Sequence, residues 1–142
     1  MSIQNKPDFT GEWSLDRQAC SLSPGADAMQ SGIVRIEHRD PTLRYKGTFT
    51  SAGGEVKTEF ELLSDGKEVV NSDHEMTIVS RLRWDGDILE ASWHIQRSAG
   101  EMKISFRYEL LDGGKRLRAV EQLRSSGHNQ DNVWIFERRR SD

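Results

Sequence analysis

The sequence predicts an all-β fold, an up-and-down antiparallel β-barrel of eight to ten strands, and two patterns carry that prediction. From residue 40 onward, turn-forming groups recur at hairpin intervals: Asp40-Pro41, Gly53-Gly54, Asp65-Gly66, Asn71-Ser72-Asp73, Asp85-Gly86, Ala99-Gly100, Asp112-Gly113-Gly114 and Ser126-Gly127. Asn, Asp and Gly tolerate the positive φ that tight hairpins demand, so each group marks a chain reversal between β-prone runs. Between the turns apolar and polar residues alternate, the period of strands with one buried face. At 142 residues the chain suits one domain with a single core. With 35% apolar and 30% charged residues, that core forms only if the apolar side chains share one face of each strand.

The elements follow in order. A first strand spans 9–15 and a second 33–38. In the strand 42–49, Leu43, Tyr45 and Phe49 share a face opposite Arg44, Lys46 and Thr48. In 55–62, Val56, Phe60 and Leu62 face in while Glu55, Lys57, Glu59 and Glu61 face out. A weaker strand is expected at 67–70. The alternation continues through Met76, Ile78, Leu82 and Trp84, then Leu89, Ala91, Trp93 and Ile95, then Met102, Ile104, Phe106, Tyr108 and Leu110. Strands at 116–124 and 132–138 complete the set. Strands of this number joined by hairpins split into a sandwich or close into a barrel; closure removes the exposed edges, and sequential pairing favours it. The connection 16–32 breaks the pattern with Pro24 and small polar residues, and leaves room for a short helical turn at 27–30. It reads either as a lid or as a surface loop. The expected organisation is an N-terminal extension at 1–8, the barrel domain at 9–138 and a basic tail at 139–142.

The opening strand Phe9-Thr10-Gly11-Glu12-Trp13-Ser14-Leu15 resembles the F-x-G-x-W-x-L start of the calycin superfamily, which holds lipocalins and fatty-acid-binding proteins. The segments 36–43 and 84–89 are similar to those of small bacterial lipocalin-like proteins. The resemblance implies a lipocalin-like barrel in which Trp13, on the same strand as the structural Gly11, closes one end beneath a basic residue from 138–140, with Arg138 or Arg139 able to supply it. A guanidinium over an indole contributes about 0.5 to 1 kcal/mol at exposed sites. The R-x-Y carboxylate clamp of fatty-acid-binding proteins has no counterpart here. Trp134-Ile135-Phe136 stand before Glu137-Arg138 instead, so a fatty acid is not implied as the ligand.

Composition excludes several partners. The net charge of −3, from 20 basic and 23 acidic residues dispersed along the chain, gives no field to attract nucleic acid. Arg138-Arg139-Arg140 at the end reads as a solvated tail. No apolar window approaches a membrane span, and a membrane is not an expected partner. Cys20 is the single cysteine, which points to a reduced, cytoplasmic compartment, with a periplasmic or secreted one open if a leader has been removed. In an irregular connection without a local partner, Cys20 reads as an inert thiol.

Catalytic signals are absent: His38, His74, His94 and His128 form no metal-binding spacing, and no G-x-S-x-G elbow occurs. No catalytic residue, metal or cofactor is assigned. Alternation turns His38 inward as a core histidine, a ligand contact or a proton-transfer group. Glu121 falls among the inward residues Leu117, Ala119 and Leu123, either as a ligand-orienting acid or turned to solvent by a register irregularity. The candidate ligand-binding set is Tyr45, Phe49, Phe60, Ile78, Trp93, Phe106 and Tyr108 with Glu121 and His38. These side chains either line a hollow lumen or fill it. The function expected is non-enzymatic binding of a small apolar or aromatic ligand. The alternatives are an enzyme using His38 and Glu121 as acid and base in the same pocket, and a filled barrel serving as an interaction module. Val133 and Ile135, which make the last strand apolar on its outer face too, suggest a homodimer.

Overall fold

The computed structural model describes residues 6–24 and 26–139. Ten strands form one antiparallel sheet: β1 (Gly11–Leu15), β2 (Met29–Arg39), β3 (Thr42–Ser51), β4 (Gly54–Leu63), β5 (Val69–Ser72), β6 (Met76–Asp85), β7 (Ile88–Arg97), β8 (Gly100–Leu111), β9 (Arg116–Ser125) and β10 (His128–Arg138). Each strand pairs with the next from β1 to β4 and from β5 to β10, and β1 also pairs with β10, setting Trp13 opposite Arg138. The sheet therefore curls into an up-and-down barrel with one seam, between β4 and β5, where no hydrogen-bond ladder forms.

The seam corrects the expectation of full closure, and it has a local cause. The β4–β5 connection is longer than a hairpin, and Asp65 accepts from Lys67 N at 2.9 Å, turning the chain before it can pair back on β4. β5 consequently starts at Val69 instead of residue 67 and lies only on β6. Leu63, Val69 and Val70 on the two unpaired edges are exposed.

Alternation along the strands places the expected residues inward, but the two ends of the barrel are filled differently. One end is packed solid by Phe9, Trp13, Ile36, His38, Leu43, Leu62, Leu82, Leu89 and Leu117, all buried. Trp13 is completely buried, its Nε1 donates to Phe9 O at 3.1 Å, and the Arg138 guanidinium sits 4.3 Å from the centre of its ring. Arg138 also donates to Thr10 O at 2.5 Å and to Gly114 O at 2.9 Å, tying three segments together. Gly11 makes that position accessible, since a β-carbon there would stand 2.5 Å from Arg138 Nη1. Arg139 is no free tail either. Its backbone N donates to Glu12 O at 2.8 Å and its side chain to Glu12 Oε1 at 2.7 Å, while Arg140 lies outside the described residues.

Across the seam, the packed end is joined by Asp40 in the β2–β3 turn. Its Oδ1 accepts from Ser64 Oγ at 2.6 Å, Trp84 Nε1 at 3.1 Å and His38 Nε2 at 3.3 Å, linking both sides of the gap. Burial alone would raise the Asp40 carboxyl, but the bonds from Ser64, His38 and Trp84 outweigh it and hold the group below its ordinary value.

The first connection is shorter than expected, because β2 starts at Met29 and carries a bulge between Met29 and Ser31. The helical turn expected at 27–30 is replaced by a 3₁₀ turn at Arg17–Ala19. β1 ends opposite Phe136, and the connection then continues along β10. Asp16 N donates to Ile135 O at 2.8 Å, Ser21 and Val133 exchange backbone bonds at 2.8 and 2.9 Å, and Ser23 N donates to Asn132 Oδ1 at 2.7 Å. The edge of β10 beyond β1 is therefore paired within the chain, and on the outer face the connection covers Ile135 while Val133 stays half-buried. Cys20 is part of this cover. Its Sγ donates to Asp16 O and accepts from Ile135 N, both at 3.3 Å, and burial raises the thiol above its ordinary value.

Candidate functional site: the open half of the lumen

The other half of the barrel is hollow. A cavity of about 170 Å³ lies between Tyr45, Phe49, Phe60, Phe106, Tyr108, Ala119, Glu121, Trp134 and Phe136, with Met29, Val56 and Thr58 at its mouth. Val56 and Thr58 are exposed although their strand position points inward, because they stand on the edge strand beside the seam. Thus one barrel is both filled and hollow, divided along its axis.

Five of the rings form a closed circuit. Tyr45 stacks on Phe60 (centroids 4.8 Å apart), Phe60 meets Trp93 edge-on (5.0 Å), Trp93 meets Phe106 (6.2 Å), Phe106 stacks on Tyr108 (5.8 Å) and Tyr108 returns to Tyr45 (6.2 Å). Offset and edge-to-face pairs of this kind contribute about 0.5 to 1.5 kcal/mol each beyond area burial. Since Phe60 is on β4 and Trp93 on β7, the circuit spans the seam from inside and holds it where the backbone does not.

Phe49 shapes the opposite wall, edge-on to Trp134 (5.6 Å) and Phe136 (6.3 Å). Its ring lies flat over two inward glycines. A β-carbon at Gly32 would fall 2.6 Å from Phe49 Cδ1, and one at Gly47 would fall 2.9 Å from Phe49 Cε2. Gly47→Ala is accordingly expected to push the ring into the cavity and to lower stability by about 1 to 3 kcal/mol, the usual cost of overpacking. Urea unfolding combined with a ligand titration checks both effects; a variant with unchanged midpoint and affinity refutes the arrangement.

The polar groups of the cavity are few. Glu121 sits in unbroken register between β8 and β10, so no irregularity turns it outward. Its Oε1 accepts from Trp134 Nε1 at 2.9 Å and Asn132 Nδ2 at 3.0 Å, and Asn132 is 2% exposed. The hydroxyls of Tyr45 and Tyr108 have no hydrogen-bond partner among the described residues, although the two residues are only 8% and 5% exposed. Burial, reinforced by the Glu121 charge, pushes both phenols above their ordinary value, so they remain protonated throughout the physiological range.

Of the residues expected to bind ligand, Tyr45, Phe49, Phe60, Phe106, Tyr108 and Glu121 come together in this cavity. Ile78 and Trp93 do not line it. They face a separate groove of about 360 Å³ along the seam, with Leu62, Val69 and Ser80. His38 belongs to the packed end, 5.8 Å from Phe9 and 5.7 Å from Trp84 between ring centres. The Phe9 N–H donates to its Nδ1 at 3.2 Å, so the ring proton is on Nε2, directed at Asp40. His38 and Glu121 therefore share no cavity, and the acid–base pair expected for an enzyme is not assembled. Trp134, Phe136 and Asn132 were not in the expected binding set. Strand parity could have found Asn132, which shares the inward face of β10 with both aromatics. Among the described residues no group of His, Cys, Asp and Glu is arranged to hold a metal ion, and no helix is long and apolar enough to cross a membrane.

Comparison by sequence matches neither a protein-family model nor a curated protein. Comparison by structure gives near-complete overlaps at low identity. A secretory abundant heat soluble protein from Ramazzottius varieornatus, crystallised from a dimer sample, is 12% identical, with a TM-score of 0.62 over 94% of this chain and 98% of the other. The M. tuberculosis protein Rv2717c is 18% identical, with a TM-score of 0.54 over 93% of each chain. Human cRBP IV is 13% identical, with a TM-score of 0.51 over 94% of this chain and 99% of the other. The likeness establishes the architecture: the chain shares the antiparallel β-barrel fold of these proteins.

Proposed function

We propose that this calycin-fold barrel binds one small apolar or aromatic molecule in the hollow half of its lumen and holds it without converting it. The observation that carries this reading is the cavity itself, a largely aromatic wall whose polar groups among the described residues are two buried phenols, one carboxylate and the Thr58 hydroxyl at the mouth. Apolar walls with a few convergent polar groups are the usual make-up of small-molecule sites. At about 170 Å³ the space is below the usual range for drug-sized ligands. An apolar cavity of about 150 Å³ takes one benzene, so the expected occupant is a single ring or a compact chain of similar bulk.

The reading rests on ring contacts that respond optically, since Trp134 lines the cavity. Titrating toluene or indole against intrinsic tryptophan fluorescence is expected to give a saturable change. Thr58→Trp, a plug placed at the exposed mouth, is expected to weaken that binding about tenfold or more while leaving the unfolding midpoint within about 0.5 kcal/mol of wild type. A folded wild-type protein that shows no saturable response would sink the proposal.

A further inference from the structure

We infer that the lumen selects a small organic cation, an aromatic or alkyl amine whose ammonium docks on the free oxygen of Glu121 while its apolar part lies among Tyr45, Phe49, Phe106 and Tyr108. The inference rests on the lumen being the ligand site and adds the charge of its ligand. The cavity wall contains one carboxyl group, that of Glu121, and no Lys, Arg or His among the described residues. Both protein donors to that carboxylate, Asn132 and Trp134, use Oε1. No side chain among the described residues donates to Oε2. Glu121 lines the cavity, and a carboxylate there with one oxygen supplied is completed by a donor the ligand brings, most strongly when that donor is charged.

The rings act in the same direction. Aromatic faces attract ammonium groups through their quadrupole, and cages of such faces are a recurrent means of recognising organic cations. Tyr45 and Tyr108, residues more than nine-tenths buried whose hydroxyls have no partner among the described residues, offer their phenol oxygens to the remaining N–H groups. An anionic ligand meets the opposite situation, since its carboxylate would be enclosed with that of Glu121 and no counter-charge. A neutral alcohol of the same shape can donate its O–H to Oε2 but brings no positive charge, so it forfeits the ion pair and the attraction of the ring faces.

Calorimetric titration of the full chain at pH 7 with benzylamine, benzyl alcohol and benzoate tests this, with Glu121→Gln as the paired variant. Benzylamine is expected to bind about tenfold or more tighter than benzyl alcohol, with no saturable binding of benzoate. In Glu121→Gln, which keeps an oxygen for Asn132 and Trp134, the amine advantage is expected to vanish while benzyl alcohol still binds saturably, which also reports that the variant is folded. Benzyl alcohol binding as tightly as benzylamine, benzoate binding at all, or an amine preference that survives Glu121→Gln would each overturn the cation assignment and leave lumen binding standing. Absence of saturable binding for all three would overturn both readings together.

Discussion

Trp13→Ala is expected to destabilise the barrel by about 3 to 5 kcal/mol, the range for removing a large buried aromatic. Three losses coincide. The packed end is left with a void under Phe9, the Phe9 carbonyl loses the indole N–H, and the Arg138 guanidinium loses the ring face it covers. Against a typical total of about 5 to 15 kcal/mol for a domain, this leaves a protein that folds at low temperature but unfolds well before the wild type. Trp13 is no part of the cavity wall, so ligand affinity in the folded fraction is expected to stay unchanged. Denaturant unfolding reads the first effect and titration the second. An unaltered midpoint would mean that the packed end does not depend on this ring.

Asp40→Ala is expected to cost about 1 to 3 kcal/mol, because it strands buried donors at the seam. The His38 side chain is 3% exposed and has no other acceptor for its Nε2 proton among the described residues, whereas the Asp40 side chain is 46% exposed, so water recovers part of the loss at Ser64 and Trp84. The same carboxylate makes stability depend on pH in a defined direction. Its folded-state value is depressed. The contribution is therefore fully present above the unfolded-state value of about 3.9, and is lost as pH falls through the lower folded value. Asp40→Asn is expected to flatten the stability profile in that acidic window and to leave its slope at neutral pH untouched. Urea midpoints between pH 2 and 7 check the sign; a variant as acid-sensitive as the wild type would remove Asp40 from the account.

Much of the fold was legible because alternation and Asp-Gly turns are local signals, and here nothing contradicts them. Strands β3, β4 and β6 to β9 face the way their apolar residues require. The site was less legible, for a physical reason. Alternation assigns a side chain to a face but not to a depth along the barrel axis, which depends on how strands stagger against one another. His38 and Glu121 read alike as inward polar residues, yet β2 pairs so that His38 meets Leu43 in the packed end, while β9 sets Glu121 beside Asn132 in the hollow end. Ile78 and Trp93 likewise point inward but toward the seam. Val133 and Ile135 show a related limit: an apolar outer face has no sequence signal for what covers it, and the connection along β10 buries Ile135 but leaves Val133 half-buried.

The seam also determines how the lumen can change size. A barrel with a continuous ring of ladders has its radius fixed by strand number and stagger. Here the ring is interrupted, and the circumference behaves as an expansion joint. Widening it by parting β4 from β5 and β6 breaks side-chain contacts, among them Phe60–Trp93 at about 0.5 to 1.5 kcal/mol, but no backbone ladder. Because that contact is in the wall between the cavity and the seam groove, its separation merges the two spaces, and the capacity of the barrel becomes elastic on the side of β4 while the packed end keeps its diameter.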